Sequence, residues 1–165
     1  MKKTKTNEFE SIVSDIWNHP KFIELKKEFH HGISRYDHSV RVAKMTYYVT
    51  KKLNLDYEKA TRAALLHDFF LNEDTINYNK PKTLQIHPEI ALFNAKKYFD
   101  IDTKQSNIIA SHMYPIFLER PKYAESWVVT CSDKAVAVHE MARFKISATM
   151  GIWLIFLFNM ITIQK

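Results

Sequence analysis

Two glycines, Gly32 and Gly151, stand in a chain of 165 residues. Tight turns in antiparallel sheets need positive φ, which glycine supplies most readily. A chain with so few cannot turn often, so a turn-rich all-β fold is excluded. The same scarcity excludes a glycine-rich phosphate loop. If this protein handles phosphate, something else holds it.

The hydrophobic pattern is helical almost throughout, so the expected class is all-α, a compact helical bundle. Glu8 to Trp17 reads as a short amphipathic helix, and Pro20 opens a second. "HHGISRY" reads as a loop around Gly32. Asp37 is the expected cap of a helix running to about Leu53, and Asp56 caps the next, with Ala60, Ala63, Ala64 and His67 on one stripe. "LNEDTINYNKPKTLQ" breaks the period and reads as a loop. The next helix then starts at "HPEIALFNAKKYF", with His87 capping it and Pro88 at its first position. "TKQSNIIASHMYP" gives a shorter helix ended near Pro115. Pro121 precedes a long one through "VVTCSDKAVAVHEMARF".

With 46 % apolar residues the chain can bury a core, and its length suits one domain over 1–165. Residues 1–29 are N-terminal helices, 30–143 the core, and 144–165 an apolar C-terminal helix. That last segment is apolar on all sides for about 14 residues, short of the roughly 18 to 20 that span a bilayer. Burial or a contact in a homodimer is the favoured reading, and membrane contact through residues 148–163 the alternative.

A single cysteine, Cys131, excludes an internal disulfide and a thiolate zinc cluster, and a reducing, cytoplasmic location fits. "MKKTKTNEFESIV" lacks the apolar run of a secretory signal. The net charge of +6 suits anionic substrates or a solvated basic surface. No dense Lys/Arg block supports nucleic-acid binding, which is not expected.

In "ALLHDFFL", His67 and Asp68 interrupt an apolar run. A buried carboxylate must be paired, hydrogen-bonded or bound to metal. Asp133 interrupts "VVTCSDKAVA" in the same way. His38 falls in the first turn of one helix, His87 at the start of another and His112 near the end of a fourth. Apart, these groups are costly to bury; gathered around cations they offset one another. Imidazole and carboxylate without thiolate suit Fe, Mn, Zn, Ni or Co. Neighbouring residues on a helix point about 100° apart, so His67 and Asp68 can serve one cavity only at a helix end.

The order H…HD…H…H…D, in "YDHSVRVA", "AALLHDFF", "HPEIALFNA", "SHM" and "CSDKA", resembles the HD-domain superfamily of metal-dependent phosphohydrolases. The resemblance covers about Tyr36 to Glu140. It implies a helical fold with one or two divalent transition metal ions in a central cavity. His38, His67, Asp68 and Asp133 match the ligands of the first ion. His87 and His112 match the additional histidines of two-metal members, with Asp68 as the bridge and catalytic carboxylate. The implied activity is hydrolysis of a phosphoester or phosphoanhydride, on a nucleotide by preference, through a metal-activated water. Arg35 and Lys134 are placed to meet a phosphate, and His31 to line the same pocket. Two alternatives share the residue pattern or the fold: a di-iron oxygenase with the same ligands, and a non-catalytic nucleotide-binding regulatory module.

Overall fold

A computed structural model describes the backbone of residues 8–30 and 32–163 and the side chains of residues 8–29 and 32–143. His31 and the side chains of the apolar segment 148–163 lie outside what is described. Among the described residues there are seven α-helices: α1 (Glu8–Trp17), α2 (Pro20–Glu24), α3 (Arg35–Lys52), α4 (Tyr57–Leu66), α5 (Lys80–Tyr98), α6 (Thr103–Ser111) and α7 (Ala124–Ile163).

The centre is α4. Its stripe of Ala60, Ala63 and Ala64 is fully buried, and α4 packs against α1, α3, α5, α6 and α7. Alanines let neighbouring backbones approach closely, and a larger side chain there would cost about 1–3 kcal/mol in overpacking. Val42 and Ala43 of α3, Ile108 and Ile109 of α6 and Val129 of α7 fill the surrounding core. Each of the larger ones contributes about 1.5–3 kcal/mol by leaving water. The α1 helix docks on this body through Val13 and Ile16 and through Arg62, whose Nη1 and Nη2 reach Asp15 at 2.6 and 2.7 Å.

Several starts differ from the sequence expectation. The α3 cap is Ser34, whose Oγ accepts from the Asp37 amide at 3.0 Å, while its own hydroxyl donates to the Asp37 carboxylate. Asp37 is therefore the third helical residue, not the cap. Asp56 caps α4 as expected. The α5 helix begins at Lys80, capped by Asn79, with Pro81 in its first turn. Part of the expected loop is thus helical, and Pro88 and His87 lie inside the helix. The expected loop around Gly32 is a two-stranded antiparallel ribbon, β1 (Phe29–His30) and β2 (Ile33–Ser34). Gly32 sits at φ 83°, where a side chain would be strained. The long helix α7 runs unbroken from the core into the apolar C-terminal stretch. Among the described residues no helix is long and apolar enough to cross a membrane.

Candidate metal centre

His67, His87 and His112 are oriented by one device. Each donates Nδ1–H to the carbonyl three residues earlier: His67 to Ala64 at 2.7 Å, His87 to Leu84 at 2.9 Å and His112 to Ile109 at 2.8 Å. A carbonyl only accepts, so the hydrogen is on Nδ1 and Nε2 is left to face inward. The source of the spare carbonyl differs. His67 and His112 are the C-caps of α4 and α6, where last-turn carbonyls have no helical partner. His87 lies mid-helix, but the residue after it is Pro88. Proline has no N–H to give to the carbonyl four residues back, so the Leu84 carbonyl is released and His87 takes it. A proline inside α5 thereby aims an imidazole.

His38 is held differently. Its Nδ1 meets Glu140 Oε2 at 2.8 Å and its Nε2 meets Asp133 Oδ1 at 3.0 Å. Asp68, just past the end of α4, completes the cluster. Its Oδ2 lies 3.5 Å from His67 Nε2, while its Oδ1 lies 3.4 Å from His87 Nε2 and 3.6 Å from His112 Nε2. The two carboxylate oxygens thus face different histidines. His67 Nε2 also lies 3.6 Å from Asp133 Oδ1. All six residues expected from the sequence meet here.

Three overlapping groups have donor atoms within 4.8 Å of one another: His38, His67 and Asp68; His67, His112 and Asp133; and Asp68, His87 and His112. The donor set fits divalent cations, and three observations carry the fit. His87 and His112 bring their Nε2 atoms to 3.0 Å although each ring already carries its hydrogen on Nδ1. Two facing lone pairs repel unless a metal cation lies against both or a proton is shared between them. Asp68 Oδ1 and His67 Nε2 are buried without a hydrogen-bond partner, which is costly for groups of this kind. Nitrogen and carboxylate oxygen without sulfur match borderline transition ions, and Cys131 is exposed.

The charge balance without metal points the same way. Burial opposes ionisation of Asp68, but His67, His87, His112 and His38 outweigh it and hold its carboxyl well below the usual range. Burial is likewise outweighed at Asp133, by the hydrogen bond from His38 and by the neighbouring His67 ring. Burial opposes charge on His38, yet its bonds to Asp133 and Glu140 raise it to about 10. His67 is raised against burial by Asp68 and Asp133. His112 is lowered to about 3 by burial and by the neighbouring His67. Two buried carboxylates among four imidazoles make positive charge favourable in this cluster.

The residues expected to meet substrate are already engaged. The Arg35 guanidinium stacks 3.7 Å over the Phe70 ring, donates Nη1–H to the Phe70 carbonyl at 2.6 Å and faces Glu28 at 3.6 Å. It also feels the charge of Asp68. Lys134 Nζ donates to the His112 carbonyl at 2.9 Å. Sequence reasoning passed over Glu140, Arg41 and Glu28. Glu140 was detectable in principle, lying seven residues after Asp133 and so on nearly the same face of α7.

A family model described as HD domain matches residues 35–137, more than half of the chain. Comparison with curated proteins and with solved structures returns no match.

Proposed function

The chain belongs to the HD-domain family, and from that premise we propose that it is a metal-dependent phosphohydrolase cleaving a phosphoester or phosphoanhydride of a small substrate, a nucleotide first among the candidates. The observation that carries the reading is the pair of inward-facing His87 and His112 nitrogens 3.0 Å apart beside the unpartnered Asp68 oxygen. His38, His67, Asp68 and Asp133 would hold one divalent transition ion; His87, His112 and the other oxygen of Asp68 would hold a second. Such ions supply a water that ionises near neutral pH and positive charge for the phosphoryl oxygens.

The protein's part is to hold these donors in place. Main-chain carbonyls fix three rings, and the apolar packing of α4 fixes the helix end from which His67 and Asp68 project. Asp68 would help hold both ions, and it is the carboxylate we assign to catalysis. Arg35, the Lys134 ammonium and His31 are the proposed substrate-side groups. Arg35 has five N–H donors in a planar fork suited to phosphate, and Lys134 acts as a point charge.

The test is phosphate release from a panel of nucleotides by the purified protein with Mn²⁺, with and without oxygen. Equal turnover in both conditions is expected, together with loss of turnover in Asp68→Ala. Turnover that requires iron and oxygen would instead favour an oxygenase. A protein that binds nucleotide but never releases phosphate with any of the five metals would favour a regulatory module.

A further inference from the structure

Glu140 has no place in the family-derived ligand set, yet it is among the most firmly held carboxylates of the molecule. The residue is 8 % exposed. Its Oε2 faces His38 Nδ1 at 2.8 Å, and its Oε1 accepts from Arg41 Nη1 at 2.6 Å. Glu140 and Asp133 lie two helical turns apart on α7, and His38 and Arg41 lie one turn apart on α3, so each pair shares a helix face. The result is an imidazole clamped along both edges by one helix: Asp133 at Nε2 and Glu140 at Nδ1.

We propose that Glu140 is the positioning residue of His38, holding the hydrogen on Nδ1 so that Nε2 is presented to the metal, with Arg41 steadying the Glu140 carboxylate. This rests on the metal-centre reading above. His38 needs such a partner because it sits in the first turn of α3, where helical carbonyls are already paired. The C-cap and proline devices that serve the other three rings are not open to it. A carboxylate is also a stronger acceptor than a carbonyl, so it makes the ligating nitrogen a better donor. A purely structural Glu140 would act only through its ion pair with Arg41, tying α3 to α7.

The two roles separate in the full-length protein through Glu140→Ala, Glu140→Gln and Arg41→Gln. Zinc affinity is measured by chelator competition, and the ring N–H signals of the zinc-loaded protein by ¹⁵N NMR. Glu140→Ala is expected to weaken zinc binding about 10- to 100-fold and to abolish the His38 Nδ1–H signal. Glu140→Gln, whose amide oxygen still accepts, should fall between Glu140→Ala and the native protein and keep that signal. Arg41→Gln breaks the same α3–α7 ion pair but should cost at most about fivefold, the worth of a half-exposed pair. Equal losses in Arg41→Gln and Glu140→Ala, or none in either Glu140 variant, would overturn the proposal. Asp68→Ala run alongside separates the two levels. If it binds zinc like the native protein, the metal-centre reading itself fails. If it loses zinc while both Glu140 variants keep it, only the role of Glu140 falls.

Discussion

The His87 and His112 side chains are 7 % and 1 % exposed and take their aim from carbonyls of their own helices. The His38 side chain is 15 % exposed and takes its aim from a carboxylate 102 residues away in the chain. The inner half of the cluster is thus fixed by local backbone defects, a helix end and a proline, which add no charge. The outer half is fixed by tertiary structure and adds charge with it. That difference explains the contrasting imidazoles. His112 is kept neutral by burial and a positive neighbour, whereas His38, between two carboxylates, holds its proton to about pH 10. Asp68 lies between the halves, its Oδ1 toward His87 and His112 and its Oδ2 toward His67, whose ring is aimed by its own helix end.

The largest effect should follow from removing the Asp68 carboxylate. Asp68→Ala breaks both halves at once, and phosphate release should fall about 1,000-fold or more, with bound metal lost in parallel. A variant that bound metal like the native protein would overturn the metal-centre reading itself. Next is Pro88→Ala, which touches the inner half alone. It restores an amide that competes with His87 for the Leu84 carbonyl. Affinity for the more weakly held ion should fall about tenfold, while the metal-free protein melts several degrees higher because a mid-helix proline costs about 3 kcal/mol. Unchanged affinity would remove the proline from the account of how His87 is aimed.

A smaller effect distinguishes the halves by pH in the metal-stripped protein. His38 is raised in the folded state, so the stability it lends is full below its unfolded value near 6.5 and is lost as pH rises through about 10. His112 is lowered to about 3, so its contribution is full above 6.5 and is lost as pH falls toward 3. Thermal melts at pH 5, 7 and 9.5 should therefore peak near neutrality. A melting temperature still rising at pH 9.5 would contradict the outer-half assignment. The smallest effect should come from Glu8, an exposed carboxylate shared by Lys51, Tyr47 and Tyr57 far from the cluster. Glu8→Gln should shift melting by about a degree or less and leave metal content unchanged.

The same contrast governs what could be read from the sequence. His67, Asp68 and Asp133 were legible because a polar residue in an apolar run demands a reason, and the order of all six candidate ligands was legible through the family resemblance. The devices that aim them were less so. Pro88 reads as a helix start because proline is welcome in a first turn, and only Pro81 seven residues earlier, in the true first turn, exposes it as internal. Asp37 and Ser34 are both good caps, and the choice turns on a hydroxyl-to-amide bond that spacing does not reveal. The two strands at residues 29–30 and 33–34 are too short to carry a period. Glu140 was missed because its partner lies on another helix, and no local pattern marks a tertiary contact.

Elemental analysis of the purified full-length chain tests the central claim most directly. The protein is stripped of metal, offered Mn²⁺, Fe²⁺, Zn²⁺, Ni²⁺ and Co²⁺ in turn, and desalted. Retention of at least one ion per chain, rising to two at saturation for the preferred metal, is the predicted result. A folded protein that retains none of the five would contradict it.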